Sequence, residues 1–288
     1  MNLAVQVKKD GFDIIRIQSI DGSVLMEINP TRGNIISSLK FKNEEMIYID
    51  NENYMSMERP RCGCPVLFPF FGRNQNDELL IGKKIYKTGI HGVVHTNKWI
   101  VKKINSNDYM CSAELQTTSN SLTKKSFPFD FRLNAKISLK KNEVTYEMRI
   151  TNLSLNDMPC DLGFHPFFII SHLNNLEFDV DADTVYNPNT KTRKKYEGIN
   201  KAEVRNSGVI LENCKLIKFV DKGRKANVSI YNKKEFKNFM IWTGNEAKFI
   251  VIEPLTSVPN AINDKVNKFN IPSNESIDSI WSFVLNSI

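Results

Sequence analysis

The 288-residue chain predicts an all-β fold, a large antiparallel β-sandwich with very little helix, running as a single domain over residues 1–288. Three observations carry that expectation. Apolar and polar residues alternate with period two over many short segments, which is the period of a half-buried strand rather than a helix. The segments are rich in β-branched and aromatic residues and separated by Gly, Asn, Asp and Lys turns, with no βαβ spacing. No linker, fixed-period repeat or shift in composition marks a boundary.

In chain order, the strands of the first half are FDIIRIQSI, SVLMEINP, KWIVKKI, YMCSAELQT, FRLNAKISL and EVTYEMRIT. The clearest hairpin joins the last two: Leu139 ends one strand, Lys140 to Asn142 turn, and Val144, Tyr146 and Met148 alternate with Thr145, Glu147 and Arg149. The second half continues with LEFDVDA, VILEN, KLIKFV, NVSIYN, FMIWT, KFIVIEP and SIWSFVLN. The amphipathic helices that a TIM barrel or Rossmann fold requires are absent from the pattern.

A hydrophobic fraction of 41% and a charged fraction of 25% are those of an ordinary globular protein. The net charge of +7 comes from scattered lysines. Only KTRKKYEG, residues 191–198, concentrates positive charge, and it reads as a solvated loop rather than a nucleic-acid surface. No apolar run is long enough to span a bilayer, so no membrane partner is expected. The start MNLAVQVKKDGFDIIRI lacks the pattern of a secretory signal. Cys62, Cys64, Cys111, Cys160 and Cys214 show no CxxC spacing, so reduced thiols in a cytoplasmic protein are expected.

Four stretches depart from simple alternation. PCDLGFHPFFII, residues 159–170, reads as a buried strand that carries His165 and fixes it with Pro166. An unpaired imidazole there costs free energy that leucine would avoid. GCPVLFPFFGRNQN, residues 63–76, reads as a rigid loop that delivers Arg73, either to a surface carboxylate or to the hydroxyls of a ligand. TGIHGVVHTNKW places His91 four residues before His95, but Gly92, Val93 and Val94 argue against the helix that a two-histidine metal site would need. KFIVIEPLTSVPNAIND ends an apolar strand on Glu253, held by Pro254. A carboxylate there needs either a salt bridge or a role as general base. The last three of these stretches supply a carboxylate, two imidazoles and a guanidinium, the outline of a site for a polyhydroxy ligand.

With these stretches in this order, the chain resembles the aldose 1-epimerases, or mutarotases, especially the LacX-like, galactose-mutarotase-like branch. The likeness runs nearly end to end, through INPTRGNIISSLKFKNEEMIYID, PVLFPFFGR, HGVVHTNKW, DLGFHPFF and VIEPLTSVPNAIND to the weak closing IPSNESI. The resemblance implies the supersandwich of the galactose mutarotases, with a cleft that interconverts the α and β anomers of a free aldose without cofactor or metal. It implies Glu253 as catalytic base, His165 as catalytic acid, and His91 and Arg73 as substrate-binding residues. The expected partner is a small sugar, an aldohexose above all, bound by a monomer or homodimer.

The chemistry asks for those residue types. A cyclic hemiacetal opens when a base takes the anomeric hydroxyl proton while an acid protonates the ring oxygen. An ionised glutamate beside a histidine supplies both, and its charge is expected to keep the imidazole protonated. Two departures are visible: FMIWTGNEAKF offers no match to an additional substrate-binding aspartate of the family, and His95 stands where relatives often have arginine. Two other functions fit the same residues. One is a hexose-phosphate epimerase in which Arg59 and Arg61 join Arg73 around a phosphate; the other is a non-catalytic sugar-binding module. Phe167, Phe168 and Trp242 are candidates to stack on a sugar face, with one of the two adjacent phenylalanines expected in the core.

Overall fold

The strongly alternating segments of the chain pair with one another in antiparallel order. A computed structural model describes residues 3–56, 58–245, 248–266 and 268–288. The largest sheet runs Leu176–Val180, Leu216–Asp221, Ala226–Asn232, Ser276–Ser287, Glu143–Asn152, Phe131–Lys140, Cys111–Thr118, Ile100–Ser106. Two adjacent interior strands show why: Phe131, Leu133, Ala135, Ile137 and Leu139, with Val144, Tyr146, Met148 and Ile150, are all buried. On the outer face Lys136 pairs with Glu147 between them, and Arg149 reaches Asp278 of the adjoining strand Ser276–Ser287. Each large apolar side chain on the inner face contributes roughly 1.5–3 kcal/mol by leaving water.

A second sheet runs Thr192–Lys195, Thr184–Asn187, Val209–Glu212, Asn238–Trp242, Phe249–Leu255, Gly163–Phe164, Val66–Leu67, with Phe167–Ile169 also paired to Phe249–Leu255. A five-stranded sheet of Ala4–Lys9, Phe12–Gln18, Val24–Asn29, Ile35–Phe41 and Glu44–Glu45 leads the chain. One cluster of buried side chains draws on all three, from Ala4 through Phe168 and Ile252 to Leu285. The helices among the described residues are short, the longest being Lys201–Asn206. None is long and apolar enough to cross a membrane.

Three local expectations are corrected. The hairpin turns on Lys141 and Asn142 alone, because Lys140 pairs with Glu143 and Lys141 takes the positive φ of 53° that the tight turn needs. KTRKKYEG is not all loop: Thr192–Lys195 is an exposed edge strand, with Arg193 bound to Glu212 and lying over the Tyr186 ring. PCDLGFHPFFII is not one strand. It is cut into Met158–Cys160, Gly163–Phe164 and Phe167–Ile169, and His165 and Pro166 fall in the second break.

Two loops are pressed together beneath that break. Gly92, with φ of 78°, forms a bridge with Phe68, and the amide of Val93 donates to the Phe68 carbonyl at 2.7 Å. A Cβ on Gly92 would stand 2.1 Å from that carbonyl oxygen. Gly92→Ala is therefore expected to lose about 1–3 kcal/mol from overpacking, plus about 1–2 kcal/mol from left-handed backbone strain. The denaturant midpoint of the purified variant measures this, and a midpoint equal to wild type would show that the two loops separate freely.

Candidate active site

The position of Glu253 follows from strand pairing. Gly163 pairs with Leu255 and Phe167 with Val251, so continuation of the register across the break sets His165 directly opposite Glu253. On its other side Glu253 pairs with Met240. Because side chains alternate, His165, Phe167, Met240, Trp242, Phe249 and Glu253 all face one side, and all six line a cavity of about 680 Å³. The opposite parity sends Phe168 into the core against Phe219 and Phe283. Of the two adjacent phenylalanines, one thus faces the cavity and one the core.

Glu253 does not end its strand. The strand continues through Pro254 to Leu255, inside the sheet, where proline would ordinarily leave a ladder hydrogen bond unmade. Here the neighbouring strand is itself interrupted at His165 and Pro166. The His165 amide donates instead to the Pro65 carbonyl at 3.1 Å, and the Phe167 amide to Gly63 at 2.9 Å. The two prolines open a gap in the ladder where the two ionisable side chains meet.

His165 Nε2 lies 3.3 Å from Glu253 Oε1, and both side chains are buried. The imidazole stacks on Phe167 at 4.6 Å and meets the His91 ring edge to face at 5.1 Å. Its Nδ1 is buried without a hydrogen-bond partner, so a neutral ring that turns an accepting Nε2 to the carboxyl carries its one hydrogen on an unpartnered Nδ1. Burial pushes the Glu253 carboxyl up to about 8 and the His165 imidazole down to about 3. This reverses the expectation that attraction between carboxylate and imidazolium dominates. Desolvation wins, and the one proton of the pair is held by the carboxyl rather than the imidazole.

His91 is held by a reciprocal pair of bonds. Its amide donates to the Gly72 carbonyl at 2.9 Å, and the Gly72 amide donates to His91 Nδ1 at 3.1 Å. An amide donating to Nδ1 requires a lone pair there, so the ring hydrogen is on Nε2. Burial, followed by the nearby His165, Arg59, His95 and Arg73, holds the ring well below the usual imidazole range, and His91 enters the cavity as a neutral donor. Its backbone φ of 67° is a strained value for a residue with a Cβ, which the Gly72 bonds hold in place.

His95 turns away: its Nδ1 lies 3.3 Å from the His91 carbonyl, and it does not line the cavity. Among the described residues no group of three or more His, Cys, Asp or Glu side chains is arranged to hold a metal ion. Arg73 does reach the cavity edge, but its side chain is 62% exposed and its Nη1 donates to both Asp77 oxygens at 2.8 and 3.0 Å. Its guanidinium is thus already engaged with a surface carboxylate.

Sequence reasoning missed part of the wall. Tyr48 and Asp50 enter because the Tyr48 amide donates to the Phe167 carbonyl at 2.8 Å, bringing the segment MIYID alongside. Tyr48 and Trp242 flank Phe249 at ring separations of 5.0 and 5.9 Å, and Phe167 closes on it at 5.1 Å. That aromatic wall suits the apolar face of a sugar ring. Within FMIWT the cavity-facing residues are Met240 and Trp242, with no carboxylate; Asp50 comes from a different segment.

The family model for aldose 1-epimerase matches residues 27–277. Among solved structures, the Slr1438 protein from Synechocystis sp. superposes with a TM-score of 0.87 at 21% identity, over 100% of this chain and 97% of that one. A galactose mutarotase-like protein from Clostridium acetobutylicum gives 0.82 at 19% identity, over 99% of this chain and 98% of the other. A galactose mutarotase related enzyme from Lactobacillus acidophilus gives 0.78 at 18%, over 99% and 97%. At these identities the likeness fixes the fold, a galactose mutarotase-like sandwich.

The buried pair makes stability depend on pH in two opposed ways. Glu253 ionises near 4.5 when unfolded and about 8 when folded, so its contribution is whole below 4.5 and is lost as pH rises toward 8. His165 carries the opposite sign: its contribution is whole above 6.5 and is lost as pH falls toward about 3. Glu253→Gln keeps the shape without the ionisation. Its Tm relative to wild type is expected to climb from about pH 5 to about pH 9 in scanning calorimetry. Parallel Tm curves would mean that the folded carboxyl is already ionised at neutral pH.

Proposed function

The chain belongs to the aldose 1-epimerase family, and from that premise we propose that it interconverts the α and β anomers of a free aldose, with Glu253 as base and His165 as acid. The observation that carries this reading is the cross-strand placement of the two side chains, 3.3 Å apart and buried in one cavity. A binding surface needs hydrogen-bond partners for hydroxyls. It does not need a carboxyl and an imidazole sharing one proton.

The steps follow from that shared proton. In the empty site the proton rests on Glu253. Sugar hydroxyls entering the cavity donate to the carboxyl oxygens and stabilise the ionised form, so the proton crosses to His165 within the pair. Glu253 then takes the proton of the anomeric hydroxyl as His165 gives its own to the ring oxygen. The bond from the anomeric carbon to the ring oxygen breaks, and the anomeric carbon becomes an aldehyde. Rotation about the adjacent carbon–carbon bond presents the other carbonyl face. Reversal of both proton transfers closes the ring as the opposite anomer. No electrons leave the substrate, and the pair ends with the proton it began with. His91, a fixed neutral donor, is placed to hold a sugar oxygen while the open chain turns, and the aromatic wall supports the ring.

Glu253→Gln and His165→Asn are each expected to lower kcat by about 10²–10⁴ while the fold persists. Polarimetry of freshly dissolved α-glucose and α-galactose, with the spontaneous rate subtracted, measures this. Undiminished mutarotation by Glu253→Gln would remove it from the role of base. Loss of binding alone in both variants would leave a sugar-binding module.

For the free enzyme, kcat/KM requires the pair to hold one proton. Losing it ends activity on the alkaline side and gaining a second ends it on the acid side. The alkaline limb is expected near pH 8, set by the raised Glu253, and the acid limb well below pH 6, set by the depressed His165. A narrow bell between the ordinary carboxyl and imidazole values would show that burial does not govern the pair.

A further inference from the structure

We propose that Arg32, which lies outside the cavity, is a positioning residue for sugar binding: it braces the helix Asn51–Met55 and the wall residues around it against the loop of His91, and so sets affinity without entering the chemistry. The proposal rests on the epimerase reading of the cavity. It starts from the stretch INPTRGN, none of whose residues lines the cavity. Within it Arg32 is fully buried, and among the described residues its guanidinium meets carbonyl oxygens rather than a carboxylate. A buried cation without a counterion is costly, so the place of those carbonyls matters.

They belong to the helix beside the cavity. Arg32 Nε donates to the Tyr54 carbonyl and Nη2 to the Asn53 carbonyl, both at 3.0 Å. These are among the last carbonyls of the helix, which have no partner inside it. The helix in turn holds three residues of the wall. Asp50 caps its start through the Asn53 amide at 3.0 Å. Asn53 accepts from the Arg61 amide at 2.6 Å and donates through Nδ2 to the Arg59 carbonyl at 3.1 Å. Asp50, Arg59 and Arg61 all line the cavity.

The same turn grips the loop of His91. Arg32 ends the short 3-10 helix Pro30–Arg32, and Gly33 follows with φ of 72°. The Gly33 amide donates to the Asn97 carbonyl at 3.0 Å, and the Trp99 amide to the Pro30 carbonyl at 2.8 Å. A Cβ on Gly33 would stand 2.1 Å from the His95 carbonyl oxygen, so the backbones are in close contact. His95 in turn meets the His91 carbonyl through Nδ1. Arg32 is thus a strut from this loop to the helix, and it holds two parts of the wall ready before a sugar arrives. The gap between His165 and Glu253 has separate ties, to Pro65 and Gly63. Loosening the strut therefore weakens binding while leaving the acid and base together.

Arg32→Lys keeps the charge without the planar fork, and Asn53→Ala cuts the same path at a half-buried position that tolerates truncation. Polarimetry with α-glucose and α-galactose is expected to show KM raised about tenfold in both variants, with kcat within about twofold of wild type and the pH limits of kcat/KM unmoved. An unchanged KM, or a fall in kcat alone, overturns the proposal. Cys62 gives a second readout that needs no substrate. Its thiol is buried against the helix, 3.9 Å from the Asp50 carbonyl and 4.0 Å from Asn53 Oδ1. Alkylation of the native protein by iodoacetamide, located by mass spectrometry, is expected to be about tenfold faster at Cys62 in both variants, with the buried Cys160 and Cys214 at their wild-type rates. An unchanged rate at Cys62, or equal acceleration at all three thiols, would mean that Arg32 serves overall stability alone and overturns the proposal. If no sugar mutarotates with the wild-type protein, the epimerase reading fails instead, and selective alkylation of Cys62 decides the bracing role by itself.

Discussion

One buried proton, shared between Glu253 and His165, is the constraint to which the surrounding architecture answers. Two ionisable groups 3.3 Å apart in a buried site are stable together only while the pair is neutral overall. That condition is met with the proton on either partner, so the site can change its internal charge distribution without exchanging protons with water. Desolvation favours the proton on the carboxyl, whereas in the proposed reaction a bound polyol would favour it on the imidazole. A resting site and a working site then differ by one short proton movement.

Holding the pair there requires a defect in the sheet. An uninterrupted strand at residues 163–169 would give every amide to the ladder and leave no space between it and Phe249–Leu255. Pro166 and Pro254 remove two amide donors on opposite sides of one gap, and the amides of His165 and Phe167 find carbonyls at Pro65 and Gly63 instead. The segment 63–73 that receives them also returns to His91 through Gly72. The segments that carry His165, Glu253 and His91 are therefore tied to one another through main-chain groups that must be paired when buried.

Legibility in the sequence followed the length and regularity of each signal. Strands such as FRLNAKISL and EVTYEMRIT were legible because ten-residue alternation leaves one face no place but the core. His165 and Glu253 stood out as polar residues in apolar runs beside prolines, and the structure brings them together. Their protonation was not legible, because the depth of burial that governs it is a property of the assembled cavity. Arg73 shows the same limit. FPFFGR delivers it to the cavity edge, but Asp77, four residues on, claims its guanidinium through a turn in which Asn76 takes a φ of 58°. Asp50 and Tyr48 were hidden for another reason. MIYID carries no unusual residue, and only its pairing beside Phe167 gives it a place in the wall.

FMIWT turns Met240 and Trp242, and no carboxylate, to the cavity, and residues 246–247 of the longer stretch FMIWTGNEAKF lie outside the described residues. Met240 pairs directly with Glu253. A carboxylate at that position would stand beside the base on a neighbouring strand, where like charges disfavour joint ionisation and raise the pKa of Glu253 further. With Met240 there, the charged side chains lining the cavity among the described residues are Glu253, Asp50, Arg59, Arg61 and the Asp77-bound Arg73. The charge of Arg59 opposes a second charge on the His165 imidazole, in the same sense as burial.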